Sequence, residues 1–395
     1  MNLQPTIPLE TSATVAINTL ALQKKARGER VFNLAAGEPV LPPHQALIAG
    51  ADAALAAGKT LYTPAAGIPE LRVAASTWMN RTYQTNFEPK NTLVTCGGKF
   101  GIFATLQAYL TPGDEVAIIS PYWVSYPSIV QLFGGVPRIV ETEEANGWKL
   151  HLEQLKDIAP SDKIKILILN NAANPTGAIY SYEEIKSILG WAQENNVLVI
   201  SDEVYSGLVY DGKNYISCGS FPEHQDHVVV IQSCSKHFSM TGWRVGFVFA
   251  LEEIIRVLTT LQSQSTTGTS SISQWAALAA FEHASEIIPY VREKMETRRN
   301  FLIKTLTKLF NYSFIPPASS LYVFVNMQQL GAQTKNSVQF CTELIEKHNI
   351  ALVPGNAFGA EGYVRLSFGA AEAELEAALN ALHQAISKLA LNTVR

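Results

Sequence analysis

Lys236 stands in the run Ser233-Cys234-Ser235-Lys236-His237-Phe238-Ser239-Met240-Thr241-Gly242-Trp243-Arg244, directly after the apolar stretch Val228 to Ile231. A lysine amine there can attack a carbonyl carbon or accept a proton, and small hydroxyl residues and an arginine surround it. The same residue types also make an ordinary solvated loop. Gly97-Gly98-Lys99 offers an anion site, because free N–H groups and a helix dipole converge where a strand gives way to a helix. It lacks the Walker spacing, and no G-x-G-x-x-G opens a helix. Asp202 ends an apolar run and has Tyr205 three positions on; its carboxylate either caps a turn or pairs with a buried cation such as a protonated heterocycle. Asn174 before Pro175 reads by itself as a turn residue. Trp123 serves equally as core or as a ring stacked on a flat ligand. Arg365 lies inside an apolar strand, where a lone guanidinium is costly, and its forked donors suit a carboxylate.

Such residues act together only if the fold collects them. The 395 residues are 47% hydrophobic and 16% charged, with a formal net charge of −4. That length calls for two domains, and that charge leaves no basic surface for nucleic acid or an anionic membrane. No apolar run approaches the roughly 20 residues of a membrane span. Met1-Asn2-Leu3-Gln4-Pro5 lacks the basic and apolar regions of a secretory signal. Cys96, Cys218, Cys234 and Cys341 have neither disulfide nor metal-ligand spacing. The expectation is a cytoplasmic protein without a metal site.

From residue 92 to 250, short apolar strands alternate with helical stretches, one of them opened by Ser181 and Glu184 at capping-box spacing. This predicts an α/β fold whose mainly parallel sheet is sandwiched by helices, with polar residues gathered past the carboxyl ends of the strands. Beyond it come a long amphipathic helix, basic around Arg298 and Arg299, and strands at Leu321 to Val325, Ile350 to Val353 and Tyr363 to Phe368. These predict a smaller α+β domain. The expected division is 46–284 for the large, ligand-binding domain and 285–395 for the small one, with 1–45 joining the small domain.

A glycine turn, an acid, an aromatic ring, hydroxyl donors and a lysine are the parts that hold a phosphorylated aromatic aldehyde, pyridoxal 5'-phosphate. The ordered set Gly37-Glu38-Pro39, Tyr62-Thr63-Pro64, Gly97-Gly98-Lys99, Pro121-Tyr122-Trp123, Asn174-Pro175-Thr176-Gly177, Asp202-Glu203-Val204-Tyr205, Ser233-x-Ser235-Lys236, Gly242-Trp243-Arg244 and Val364-Arg365-Leu366-Ser367 resembles the class I pyridoxal-phosphate aminotransferases of fold type I. The likeness spans nearly the whole chain. Pro121 to Pro127 and Gln262 to Thr267 are similar to the short bacterial aspartate aminotransferases in particular.

That resemblance implies a covalent cofactor link at Lys236 and an Asp202 partner for the pyridine nitrogen. It implies that Tyr205 and Asn174 bond the ring oxygen and that Trp123 stacks on the ring. Ser233, Ser235, Arg244, Gly98 and Lys99 would hold the phosphate. Tyr62 would reach the cofactor of a neighbouring subunit in a homodimer. Arg365 would fork the substrate α-carboxylate beside Gly37, and Lys99, helped by Ser12 and Thr14, would meet a distal carboxylate. Some relatives accept prephenate through a basic residue that Glu10 replaces here. The implied reaction is transamination between L-aspartate and 2-oxoglutarate; a preference for aromatic donors or prephenate, or a lyase or decarboxylase on the same fold, stands as the alternative.

Overall fold

The computed structural model describes residues 13–158, 163–313 and 315–393. Glu10 and Ser12, and the side chain of Thr14, lie outside the described residues. The strands in chain order are β1 (Phe32–Asn33), β2 (Thr92–Thr95), β3 (Glu115–Ser120), β4 (Val136–Glu141), β5 (Ile164–Asn170), β6 (Leu198–Asp202), β7 (Val228–Ser233), β8 (Gly246–Phe249), β9 (Tyr322–Asn326), β10 (Ile350–Ala351), β11 (Val353–Pro354) and β12 (Tyr363–Ser367). The first helices are α1 (Ala13–Ala26), α2 (Gln45–Ala56), α3 (Pro69–Tyr83) and α4 (Gly98–Tyr109).

Seven strands form one sheet in the order β2-β8-β7-β6-β5-β3-β4. All neighbours are parallel except β8, which is antiparallel to both β2 and β7. The chain passes from β7 to β8 through the lysine loop with no crossover helix, so a parallel return is unavailable. Because β2 and β7 are both antiparallel to β8, their carboxyl ends share one edge with those of β5 and β6. Val228, Val229, Val230 and Ile231 are all buried, each contributing roughly 1.5–3 kcal/mol through side-chain burial. A strand apolar on both faces fixes this platform, and its polar ends project from it. The fold type I α/β architecture is therefore present.

Strand β4 was not expected. It is the sheet edge and mostly exposed, so its residues lack the continuous apolar run of its neighbours. The helix Tyr126–Leu132, in a stretch read only as loop motif, turns Tyr126 into the core. The helix Tyr182–Glu194 opens with the expected box: the Glu184 amide donates to Ser181 Oγ at 3.3 Å and the Ser181 amide donates to Glu184 Oε2 at 2.7 Å.

A second, antiparallel sheet has the order β11-β12-β9, and β1 pairs in parallel with β10 through Phe32↔Ile350 and Asn33↔Ala351. Residues 32–33 are thus tied to the C-terminal part of the chain. In the β12–β9 register Ser367 faces Tyr322 and Arg365 faces Phe324. Strand alternation then sets Arg365 diagonally across from Tyr322 on one face.

Candidate active site

Asp202 is the last residue of β6, in register with Asn170 at the end of β5. It is buried, and its side chain accepts from Tyr126 Oη at 2.6 Å and from the Val204 amide at 3.4 Å. Asn170 Nδ2 donates to the Asp202 carbonyl at 2.9 Å, while Asn170 Oδ1 accepts from the Asn174 amide at 2.7 Å. Among the described residues no cation bonds to this carboxylate. Burial pushes its pKa up to about 6, opposed by the Tyr126 hydrogen bond, the Val204 amide and the charge of Lys236. Its turn-capping bond to the Val204 amide leaves it free of any cationic partner among the described residues.

Lys236 lies beyond β7 in the same hollow. Its Nζ donates to the Gly37 carbonyl and sits 5.6 Å from the Tyr205 ring centroid. Burial lowers its pKa, partly opposed by Tyr322, with Arg365 and Arg244 acting in the same direction as burial. A lowered pKa favours the neutral amine, which is both nucleophile and base.

The anion cradle is assembled from two loops. Gly97 has φ of +83°, which favours glycine, and it turns β2 into α4 at Gly98. A Cβ on Gly97 would lie 2.5 Å from Arg244 Nη2, so the guanidinium packs directly over the turn. Ser233 Oγ donates to Ser235 Oγ at 2.9 Å and receives the Ser235 amide at 3.1 Å. Two hydroxyls, a guanidinium and a helix N-terminus converge there.

Arg365, only 2% exposed, donates Nη2 to the Ala35 carbonyl at 3.0 Å and Nη1 to Asn174 Oδ1 at 3.1 Å. Its Nε has no partner. The guanidinium is sandwiched 3.9 Å from the Tyr322 ring centroid and 5.1 Å from that of Phe358. Both its bonds go to neutral oxygens, leaving the charge uncompensated.

The site opens on one cavity of about 350 Å³, with Gly37, Gly98, Lys99, Trp123, Asn174, Asp202, Tyr205, Ser233, Ser235, Lys236, Arg244 and Arg365 on its wall. Lys99, Lys236, Arg244 and Arg365 face Glu38 and Asp202 across it, an excess of cations in a chain of net charge −4. Lys99 Nζ lies 4.8 Å over Trp123, whose ring meets Tyr126 edge-on at 5.3 Å. Tyr62 is elsewhere: it is 95% exposed, beside Leu61 and the 266–272 loop. Sequence reasoning missed Tyr126, Asn170, Tyr322 and Asn18, all of which bond to or line the site. Only Tyr126, inside the Pro121–Pro127 motif, had a signal that pointed to it.

The sequence profile described as aminotransferase class I and II matches residues 29–382. The chain belongs to this aminotransferase family. An aspartate aminotransferase of Geobacillus stearothermophilus is 38% identical over 95% of this chain and 96% of its own. An aspartate/prephenate aminotransferase of Thermus thermophilus is 37% identical over 94% and 95%. The solved aspartate aminotransferase of Thermus thermophilus with maleate superposes with a TM-score of 0.90 at 36% identity, covering 95% of this chain and 97% of that one.

As an aminotransferase the protein works with pyridoxal 5'-phosphate. The donor set of the cavity fits that group in three places. A buried carboxylate without a cation matches a protonated ring nitrogen, the Gly97 cradle under Arg244 matches a phosphate, and an amine of lowered pKa matches an aldehyde.

Proposed function

We propose that this aminotransferase exchanges the amino group between L-aspartate and 2-oxoglutarate, with Lys236 as the covalent anchor. The observation that carries the substrate reading is the pair of cations at two depths of one cavity: buried Arg365, with Nε unpartnered, and Lys99 over Trp123. Substrates with two carboxylates match them. The aspartate aminotransferase names of its relatives support the same choice.

Bound pyridoxal phosphate supplies a conjugated ring that accepts the electron pair left when a substrate Cα proton is removed. Asp202 would pair with the ring nitrogen and hold a proton on it. Ser233, Ser235, Arg244 and the amides of Gly98 and Lys99 hold the phosphate. Trp123 would cover the ring, and Tyr205 and Asn174 would bond its oxygen. Arg365 orients the α-carboxylate beside Gly37. Lys236 would anchor the cofactor and serve as the base for the substrate Cα proton, its neutral form favoured by burial. The two half-reactions share one site, so the kinetics are ping-pong.

We further infer a homodimer, in which exposed Tyr62 reaches the partner's cofactor phosphate, a cytoplasmic location, and a division into 46–284 for the cofactor-binding domain and 285–395 with 1–45 for the small domain. The exposure of Tyr62 and the β1–β10 pairing support these assignments. No helix among the described residues is long and apolar enough to cross a membrane.

Purified protein mixed with L-aspartate and 2-oxoglutarate is expected to form oxaloacetate and glutamate in equal amounts. Ammonia or pyruvate without glutamate would overturn the transaminase reading. A donor and acceptor panel that includes phenylalanine and prephenate tests the substrate: an aromatic preference would overturn the dicarboxylate assignment alone.

A further inference from the structure

Tyr322 opens β9 and is buried against the cavity it lines. Three contacts meet on it. Its hydroxyl lies 2.8 Å from that of Tyr205, the two rings crossing at 73° with centroids 5.9 Å apart. Arg365 Cζ stands 3.9 Å from its ring centroid. Its hydroxyl also abuts Gly37, where an added Cβ would come within 2.7 Å of that oxygen. Gly37 in turn offers its carbonyl to Lys236. The phenol therefore touches Tyr205, Arg365 and Gly37 at once without belonging to any role assigned above.

The proton between the two phenols decides what Tyr205 can do. Each hydroxyl has one hydrogen. If Tyr205 donates to Tyr322, Tyr205 turns only lone pairs to the cavity. If Tyr322 donates, Tyr205 keeps its own hydrogen for a ligand oxygen. Arg365 breaks the symmetry, because a guanidinium against one ring draws electron density from that phenol and makes it the better donor. Donation into Tyr205 also polarises the Tyr205 O–H and strengthens its onward bond.

We propose that Tyr322 is a positioning residue that donates its hydroxyl proton to Tyr205 and so holds Tyr205 as a donor to the cofactor ring oxygen. The assignment rests on the cofactor reading above. Weakening the Tyr205 bond leaves more negative charge on the ring oxygen and raises the proton affinity of the nitrogen conjugated with it. The readout is the pH midpoint of the bound cofactor's absorption, which is independent of turnover.

In the holoenzyme, Tyr322→Phe keeps the ring against Arg365 and removes only the hydroxyl. It is expected to raise the absorption midpoint by roughly half a pH unit, the size of one cooperative hydrogen bond. Tyr205→Phe is expected to raise it further, and adding Tyr322→Phe to that variant to change nothing. Gly37→Ala, which crowds the Tyr322 hydroxyl from the other side, is expected to shift the midpoint in the same direction and provides the same test if Tyr322→Phe does not fold. An unmoved midpoint in Tyr322→Phe, or an equal shift with Tyr205 already absent, overturns the proposal while the functional reading stands. A wild-type protein with no titrating cofactor band, and no borohydride-fixed adduct on Lys236, overturns that reading and this proposal with it.

Discussion

Two arginines are buried among the described residues, and their surroundings differ in one decisive way. Arg299, on the long helix Ala284–Phe310, is 2% exposed, and two of its nitrogens grip Asp211 at 2.5 and 2.7 Å. It also donates to the Pro317 carbonyl at 3.0 Å and stacks over Tyr210 at 4.9 Å. Arg365 is equally buried but has no carboxylate, only two neutral oxygens and an idle Nε. Burying a charge without its counter-charge is costly. A fold that accepts that cost at a cavity wall leaves the counter-charge to a ligand. Arg299 is tied into the protein by its own carboxylate, whereas Arg365, on the reading proposed above, is left for the carboxylate of a ligand.

The sharpest way to break this contrast is to remove both charges. Arg365→Met is expected to lower kcat/KM for aspartate about 10³-fold, the loss of two charge-assisted bonds at roughly 1.5–3 kcal/mol each. The melting temperature of the cofactor-free protein should stay level or rise, because an uncompensated buried charge is gone. A large fall in melting temperature would mean that Arg365 is structural after all.

A similar contrast holds between two adjacent acids. Asp202 points into the cavity. Glu203 points away, where Oε1 accepts from Ser201 Oγ at 2.8 Å, Ser217 Oγ at 3.0 Å and the Cys218 amide at 2.9 Å. Burial pushes Glu203 up to about 7, against the pull of those three donors. The folded state thus binds the proton more tightly than the unfolded one. Its contribution to stability is complete below the ordinary glutamate range and is lost as pH rises through about 7. Over that window the loss is about 3 kcal/mol. Denaturant titrations from pH 4.5 to 8 are expected to show this decline, and Glu203→Gln to make it shallower while turnover persists, the remainder coming from Asp202, whose pKa is raised in the same direction. An unchanged slope in Glu203→Gln would assign the decline to another group, Asp202 first.

Arg299→Met takes the comparison to its other side. Asp211 is 46% exposed, so its solvation softens the loss of the pair. The expected cost is about 2 kcal/mol of unfolding free energy, with kcat/KM per folded molecule unchanged. A drop in catalysis without a drop in stability would reverse the two assignments.

The sequence made some residues of the candidate site conspicuous and hid others, for physical reasons. Arg365 was conspicuous because it interrupts an apolar strand, and Lys236 and Asp202 because each follows one. Arg299 looked like the basic face of an amphipathic helix; the Asp211 that buries it is 88 positions away, and nothing local announces the pairing. Tyr322 was indistinguishable from core, since a tyrosine in an apolar strand usually is core. Its role arises from a diagonal across β9 and β12, which only register reveals. Asn170 became visible in the same way, through its alignment with Asp202 across β5 and β6. The parallel platform was legible from continuous apolar runs. Its edge strand β4, exposed on most positions, was not.

Lys99 is the shallow counterpart of Arg365, and its effect is correspondingly smaller. It is exposed and held over Trp123, and burial of part of its stem together with the charge of Arg244 lowers its pKa. Water competes for a distal carboxylate there far more than it can at buried Arg365. Lys99→Met keeps the aliphatic stem against the indole and deletes the charge. The expected loss is about tenfold in kcat/KM for aspartate, worth ~1.4 kcal/mol, with phenylalanine unaffected. Because the Lys99 pKa is lowered, the charge fades as pH rises toward it, and the wild-type preference for aspartate over phenylalanine should decline on the alkaline side. In Lys99→Met that pH trend should vanish. Equal losses for both donors would take Lys99 out of substrate selection and leave it as part of the phosphate cradle alone.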